Sequence, residues 1–238
     1  MGFMRKADFE LYRDADKHYN QVLTTRDFLA LGVGTIISTS IFTLPGQVAA
    51  QFAGPGVVFS YLLAALVAGF VALAYAEMST VMPFAGSAYS WISVLFGEGF
   101  GWIAGWALLA EYFIAVAFVG SGFSANLPAN GVWTLAIVAI VIGAFFPFAF
   151  LAQLISAGTL IAFMFVTLGI YSLRRRQGKD LPEATYKMPF YPVLPALGFI
   201  GSLFVFWGLD VQAKLYSGIW FLIGIAIYFA YGNRRKKK

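Results

Sequence analysis

Long stretches without a single charged side chain constrain this chain more than any other feature. No Asp, Glu, Lys or Arg occurs from Phe28 to Ala76, from Tyr112 to Leu173, from Met188 to Leu209, or from Leu215 to Asn233. A helix crosses the hydrocarbon core of a bilayer with about 20 mostly apolar residues, so these runs hold several crossings. The overall balance, 60% hydrophobic against 11% charged, lies outside the range of soluble domains. The short alternating segments of an outer-membrane barrel are not seen. The expected fold class is therefore all-α: a polytopic membrane helix bundle of about seven spans.

The net charge of +5 gathers in three places. They are a mixed-charge arm from Arg5 to Arg26, a loop holding Arg174, Arg175, Arg176, Lys179 and Lys187, and a tail from Arg234 to Lys238. Beside hydrophobic spans, such clusters set topology and touch anionic lipid, so no nucleic-acid partner is expected. There is no cysteine, which rules out disulfides and thiolate metal sites. The single histidine, His18, lies in the polar arm, so no histidine metal centre is expected, and no cofactor. Residues 1–27 are polar and give no sign of a cleavable signal peptide.

Along the chain, Thr24-Thr25-Arg26-Asp27 supplies helix-capping chemistry before span 1, Phe28 to Ala50. Gly54-Pro55-Gly56 is a turn, and span 2 runs from Val57 to Met78. Pro83 to Trp91 is turn-rich and amphipathic, and reads as an interfacial or re-entrant connection. Span 3 covers Phe100 to Phe123. Span 4 is Trp133 to Leu151, span 5 Leu154 to Leu173, span 6 Val193 to Leu209 and span 7 Tyr216 to Tyr231. Pro189, Pro192 and Pro195 predict an extended approach to span 6. Trp102, Trp106, Trp133, Trp207, Trp220 and the Phe-rich band Phe145–Phe150 are expected to pack and anchor at the interfaces, with Pro147 making a bend and Gly158-Thr159 a helix contact. The arm, the Arg174 loop and the tail would all prefer the cytoplasm, yet five spans separate the arm from the loop. Charge parity thus predicts a frustrated topology or one segment that fails to cross.

Span 1 carries an unusual interior, Gly32-Val33-Gly34-Thr35-Ile36-Ile37-Ser38-Thr39-Ser40-Ile41-Phe42-Thr43-Leu44-Pro45-Gly46. Ser and Thr compete with the backbone for hydrogen bonds, Gly is permissive and Pro removes a donor. In lipid, such a weak point survives where it faces protein or a wet cavity, and a helix broken at mid-membrane is one way transporters build a substrate site. Unwound backbone at Ile36, Ile37, Ser38, Thr39, Ser40 and Ile41 would offer N–H groups to a carboxylate and C=O groups to an ammonium, the two ends of an α-amino acid. The competing reading is a small-residue face for helix packing.

Glu111 is the one acid well inside a span. An ionised intramembrane acid is costly, so the residue reads as a proton-coupling group or as a protonated structural one. Glu77 and Glu98, at span ends, read as solvated boundary charges.

The Gly32–Phe42 stretch with Pro45-Gly46 resembles the first helix of amino-acid permeases of the amino acid-polyamine-organocation superfamily, closest to its cationic-amino-acid-transporter-like branch. Ala53-Gly54-Pro55-Gly56, Tyr75-Ala76-Glu77-Met78 and Pro83-Phe84-Ala85-Gly86-Ser87-Ala88-Tyr89 agree with it. Ser156 to Phe163 is similar to the family's tenth helix, and Pro189 to Pro195 to the approach to its eleventh. The resemblance implies a LeuT-type fold, a five-plus-five inverted repeat with a discontinuous first helix, and the binding role of residues 36–41. Many members have Gly where this chain has Ser38 and Ser40.

Family members typically have twelve helices, and this chain looks like helices 1–3 joined to helices 9–12. The implied organisation is a polar arm (1–27), permease helices 1–3 (28–125), a junction (126–131), the equivalents of helices 9–12 (132–233) and a basic tail (234–238). Helices 4–8 have no equivalent, among them the second broken helix and a helix whose lysine is often implicated in coupling. The expected function is secondary transport of amino acids, in a proton-coupled form, by an internally truncated permease of the cytoplasmic membrane. The alternative is a non-transporting remnant that associates with itself or with a full-length permease. A seven-helix receptor and an intramembrane enzyme fit poorly. No lysine lies inside the last span, and there is no Ser/His or His/Asp constellation.

Overall fold

The computed structural model describes residues 4–16, 24–36, 40–124 and 148–232. The chain divides into two compact units, one made of Met1–Lys17, Leu66–Tyr112 and Gln153–Lys238, the other of His18–Ala65 and Phe113–Ala152.

The described structure is helical. The helices are α1 (Phe9–Asp16), α2 (Thr25–Ile36), α3 (Ser40–Val48), α4 (Val57–Val81), α5 (Ala88–Leu95), α6 (Glu98–Ser124), α7 (Phe148–Arg176), α8 (Val193–Trp207) and α9 (Val211–Gly232). Among the described residues, three helical stretches are long and apolar enough to cross a membrane: Leu44–Val81, Leu151–Arg176 and Val211–Ala230. The 27 residues of α6 also exceed the length a crossing requires. At 15 residues α8 is shorter, and most of the expected span 4 lies outside the described residues, as does Pro147.

In the first unit, α4 shows how the core is made. Val67, Val71, Ala74, Met78 and Val81 are buried at alternating spacings of four and three, one stripe of a helix. Glycines let the other helices approach. A side chain at Gly158 of α7 would stand 2.8 Å from the backbone oxygen of Ala107 in α6, and one at Gly201 of α8 would meet Val67 of α4. The helix contact expected at Gly158-Thr159 is therefore present.

The tryptophans tie α6 to α9. Trp106 Nε1 donates to Trp220 O (2.8 Å), Trp220 Nε1 donates back to Trp106 O (3.1 Å), and the two rings stack 5.0 Å apart. Trp102 Nε1 donates to Gly224 O (2.8 Å). Each indole thus has its polar edge satisfied within an apolar contact. Trp207 is exposed, as an interfacial anchor would be. Trp133, Phe145 and Phe146 lie outside the described residues.

Two connections differ from expectation. Pro83 to Trp91 leads into an eight-residue helix, α5, about 12 Å long and too short to cross. Its residues from Ser90 to Leu95 are all buried, so it is a core element rather than an amphipathic interfacial one. Trp91 Nε1 donates to Met82 O at 2.6 Å, which folds the preceding turn under the helix. Residues 189–192 form a turn instead of an extended approach, because Phe190 takes φ 48° and its carbonyl accepts from Val193 N (2.8 Å).

The second unit holds α2 and α3. Thr24 and Asp27 cap α2 reciprocally: Thr24 N and Oγ1 both donate to Asp27 Oδ2 (2.7 Å each) and Asp27 N donates to Thr24 Oγ1 (3.5 Å). These bonds to the carboxylate hold Asp27 below its ordinary pKa. Gly54-Pro55-Gly56 is a 3₁₀ turn, as its composition predicts, with Gly54 at φ 52°.

Candidate functional site

The described residues of the span 1 motif are helical, 32–36 within α2 and 40–46 within α3. Helix α2 ends at Ile36 and α3 begins at Ser40. Ile37, Ser38 and Thr39 of that motif lie outside the described residues. Ile36 and Ile41 are exposed. Thr35 Oγ1 donates to Leu31 O (2.7 Å), the back-bonding a helical Thr uses when it has no other acceptor.

Glu111 is half-buried on α6, in the first unit, near Tyr75 of α4 and beside Thr159 of α7. Its Cβ lies 3.7 Å from where a side chain on Gly158 would begin, which places it at the contact of α6 with α7. The Thr159 hydroxyl, which is 3.1 Å from Ile155 O, is also within hydrogen-bonding reach of the Glu111 carboxyl. The proton-coupling candidate and the 36–41 motif belong to different compact units.

A polar site that sequence reasoning misreads lies at Glu77. The expectation there is a solvated boundary charge; the residue is fully buried. Arg174 Nε donates to Glu77 Oε1 and Arg174 Nη2 to Glu77 Oε2, both at 2.8 Å. Met188 N donates to Oε2 (2.8 Å), and Arg174 Nη2 also donates to Met188 O (2.9 Å). The guanidinium carbon stands 4.4 Å from the centre of the Tyr191 ring. A forked guanidinium, a peptide N–H and an aromatic face together satisfy a carboxylate that burial alone would exclude. The misreading has a simple cause. The apolar run stops at Ala76, but the helix continues to Val81, which places Glu77 a full turn inside its end. An acid inside one helix end and an arginine ending another were the available signal.

The same end of this unit carries the N-terminal arm. Glu98 N donates to Arg5 O (2.8 Å) and Ala7 N donates to Ser93 O (3.1 Å). Phe9 and Tyr12 set their rings 5.1 and 5.7 Å from Phe84, and burial is the main cause pushing the Tyr12 hydroxyl up to about 12. Arg176 Nη1 donates to Val94 O, close by. Arg176 holds the Asp180 carboxyl below its ordinary range, with a smaller contribution from Lys6 of the arm. The arm and the Arg174 loop therefore share one end. Of the two outcomes expected from charge parity, this contact agrees with the one in which a segment between arm and loop fails to cross. Its geometric reason is that α6 and α7 are antiparallel: Gly158 meets Ala107, Phe165 lies 6.0 Å from Phe100, and Ser172 Oγ donates to Leu95 O. One helix leaves this end and the other returns to it.

Apolar helices of spanning length, joined by buried polar contacts, define a polytopic helical membrane protein. Residues 23–129 match the family described as "Amino acid permease", and residues 186–236 match "C-terminus of AA_permease". The chain is 51% identical over 465 residues to the branched-chain amino acid permease BcaP of Lactococcus lactis, with all of both proteins covered. It is 43% identical over 107 residues to the vacuolar cationic amino acid transporter 2 of Arabidopsis thaliana, covering 45% of this chain and 17% of that one. To the BcaP of Bacillus subtilis it is 41% identical over 109 residues, 46% of this chain and 23% of the relative. The chain belongs to the amino-acid permease family.

These relatives carry the names of permeases and transporters, not of enzymes. The chain has about half the residues of the Lactococcus relative: 238 set against 465 leaves 227 positions without a counterpart. Since 238 is itself 51% of 465, the identity reaches the ceiling that length imposes. The expected internal truncation agrees with this end-to-end match.

Proposed function

We propose that this chain moves amino acids across the cytoplasmic membrane as a secondary transporter of shortened form. The observation that supports the reading is the end-to-end match to a relative named as a branched-chain amino acid permease. Aliphatic branched-chain amino acids are accordingly the first substrate class to test, and cationic amino acids, after the Arabidopsis relative, the second. In this reading Ile36, Ile37, Ser38, Thr39, Ser40 and Ile41 hold the α-carboxylate and α-ammonium through exposed backbone groups. The hydroxyls of Ser38 and Ser40 add donors that glycine would lack. Glu111 carries the coupling proton. Its neutral form is the cheaper one among apolar helices, and release of the proton requires water or a cation to reach it.

A second reading, a permease remnant that transports nothing alone and associates with itself or with a full-length permease, is favoured by the 227 unmatched positions. Ligand-dependent unfolding separates the two. Leucine present at a hundred times its dissociation constant stabilises a binding protein by about 2.7 kcal/mol. The transporter reading expects the unfolding midpoint of the purified chain to rise with leucine, and the rise to vanish in Ser40→Trp. A midpoint indifferent to leucine, isoleucine, valine, lysine and arginine supports the remnant.

A further inference from the structure

We propose that residues 177–192 are a cap over one end of the first unit and that the Glu77–Arg174 pair is its latch. The segment is almost without regular structure. Beyond an isolated bridge from Gln177 to Leu181 and the turn at 189–192, it is neither helix nor strand. It nonetheless buries three side chains, Leu181, Ala184 and Met188, in the same apolar cluster as Trp91, Leu95 and Leu173. The residues between them, among them Pro182, Glu183, Thr185 and Lys187, are exposed.

The polar fastening sits at the far end of the segment. Met188 gives its N–H to Glu77 and its C=O to Arg174, so both backbone groups of one cap residue are held by one ion pair. Tyr191 covers the guanidinium, and Tyr171 Oη donates to Pro192 O (2.6 Å), which closes the next turn. The near end stays attached to α7, through Gln177 N to Leu173 O and Leu181 N to Arg176 O. A connection from α7 to α8 that is held by apolar plugs along its length and fastened near its α8 end by one ion pair has the anatomy of a strap over the bundle end. Segments with few backbone bonds of their own open at less cost than helices do.

Burial of the pair is asymmetric, and this points to a latch more than to a core staple. The Glu77 side chain is 0% exposed and that of Arg174 20% exposed. Water therefore reaches the arginine side already, while Met188 and the cap seal the carboxylate. Lifting the cap would hydrate Glu77 and leave the guanidinium at the rim. If the chain transports as proposed above, a strap of this kind closes one end of α4 and α7; the latch itself is tested without transport.

The chain's lack of cysteine makes the test direct. Single cysteines are introduced at Ala184 in the cap, at Glu183 as an exposed control and at Ala104 on α6 as a buried control. Each is labelled in detergent with a hydrophilic maleimide, in the parent, in Glu77→Gln and in the double variant Glu77→Met/Arg174→Met. The double variant keeps the site filled and leaves no lone buried charge, so it serves where Glu77→Gln fails to fold. We expect the Ala184→Cys site to label at least tenfold faster in both latch variants, with Ala104→Cys still protected and Glu183→Cys fast throughout. Unchanged protection of Ala184→Cys in the double variant would overturn the proposal. Labelling of Ala104→Cys alongside Ala184→Cys would overturn it too, because the pair would then hold the whole bundle and not the cap.

Discussion

The two polar intrusions into this apolar chain are handled in opposite ways. In the first unit Glu77 is sunk to zero exposure and given three short hydrogen bonds from two residues distant in sequence. In the second, the hydroxyl-rich stretch from Thr35 to Ser40 has exposed Ile36 and Ile41 beside it, and Thr35 satisfies itself on its own helix. A buried charge tolerates no missing partner, so its site is rigid and specific. A run of hydroxyls and small residues costs little to expose and can exchange partners, which a ligand site requires. The contrast separates a contact that holds the permease fold together from a stretch that is proposed to bind.

The largest way to break this contrast is to strand the buried carboxylate. Arg174→Met leaves Glu77 buried and unpaired and is expected to lower stability by roughly 3–5 kcal/mol, read from detergent unfolding midpoints. Adding Glu77→Met should recover most of that loss, a strong non-additivity that exposed pairs do not show. A double variant no more stable than the single one would mean that the contact is not the source of the cost. The tryptophan pair sets the next level. Trp106→Phe removes a reciprocal hydrogen bond and leaves Trp220 O without its donor, an expected loss of about 1–3 kcal/mol. Gly158→Ala presses a methyl against the backbone of Ala107, with a similar cost of about 1–3 kcal/mol.

Substitutions in the second unit should be nearly silent in stability. Thr35→Val removes a back-bond that helices do not need and is expected to change unfolding by less than about 0.5 kcal/mol. The cap at Asp27 adds a small pH effect. Its folded pKa is depressed by the bonds from Thr24, so its stabilisation is present above the ordinary carboxylate value and is lost as pH falls through the folded one. Asp27→Asn should flatten that acid limb of the stability profile.

How much of this was legible in the sequence depended on distance along the chain. Local pattern was enough for the apolar spans, the Gly54-Pro55-Gly56 turn, the cap at Thr24–Asp27 and the family motif, because each is encoded within a few residues. The partner of Glu77 is 97 positions away, and no local rule pairs them. Tryptophan could be read as an anchor, but not that Trp106 and Trp220 would exchange bonds across 114 positions. Charge parity left two outcomes open, a frustrated topology or a segment that fails to cross, and only the packing of α6 against α7 and of the arm beside the Arg174 loop chooses between them. Glu111 was legible as an isolated intramembrane acid. The close approach of α7 to α6 beside it, at Gly158 and Ala107, was not.

The most direct measurement is uptake of labelled leucine by liposomes carrying the purified chain, with and without an inward proton gradient, beside the Ser40→Trp variant. The proposed transporter gives gradient-stimulated uptake above empty liposomes, abolished by Ser40→Trp although that variant unfolds at the parent's midpoint. Uptake equal to empty liposomes from a well-folded sample would contradict it and leave a permease by descent that no longer transports.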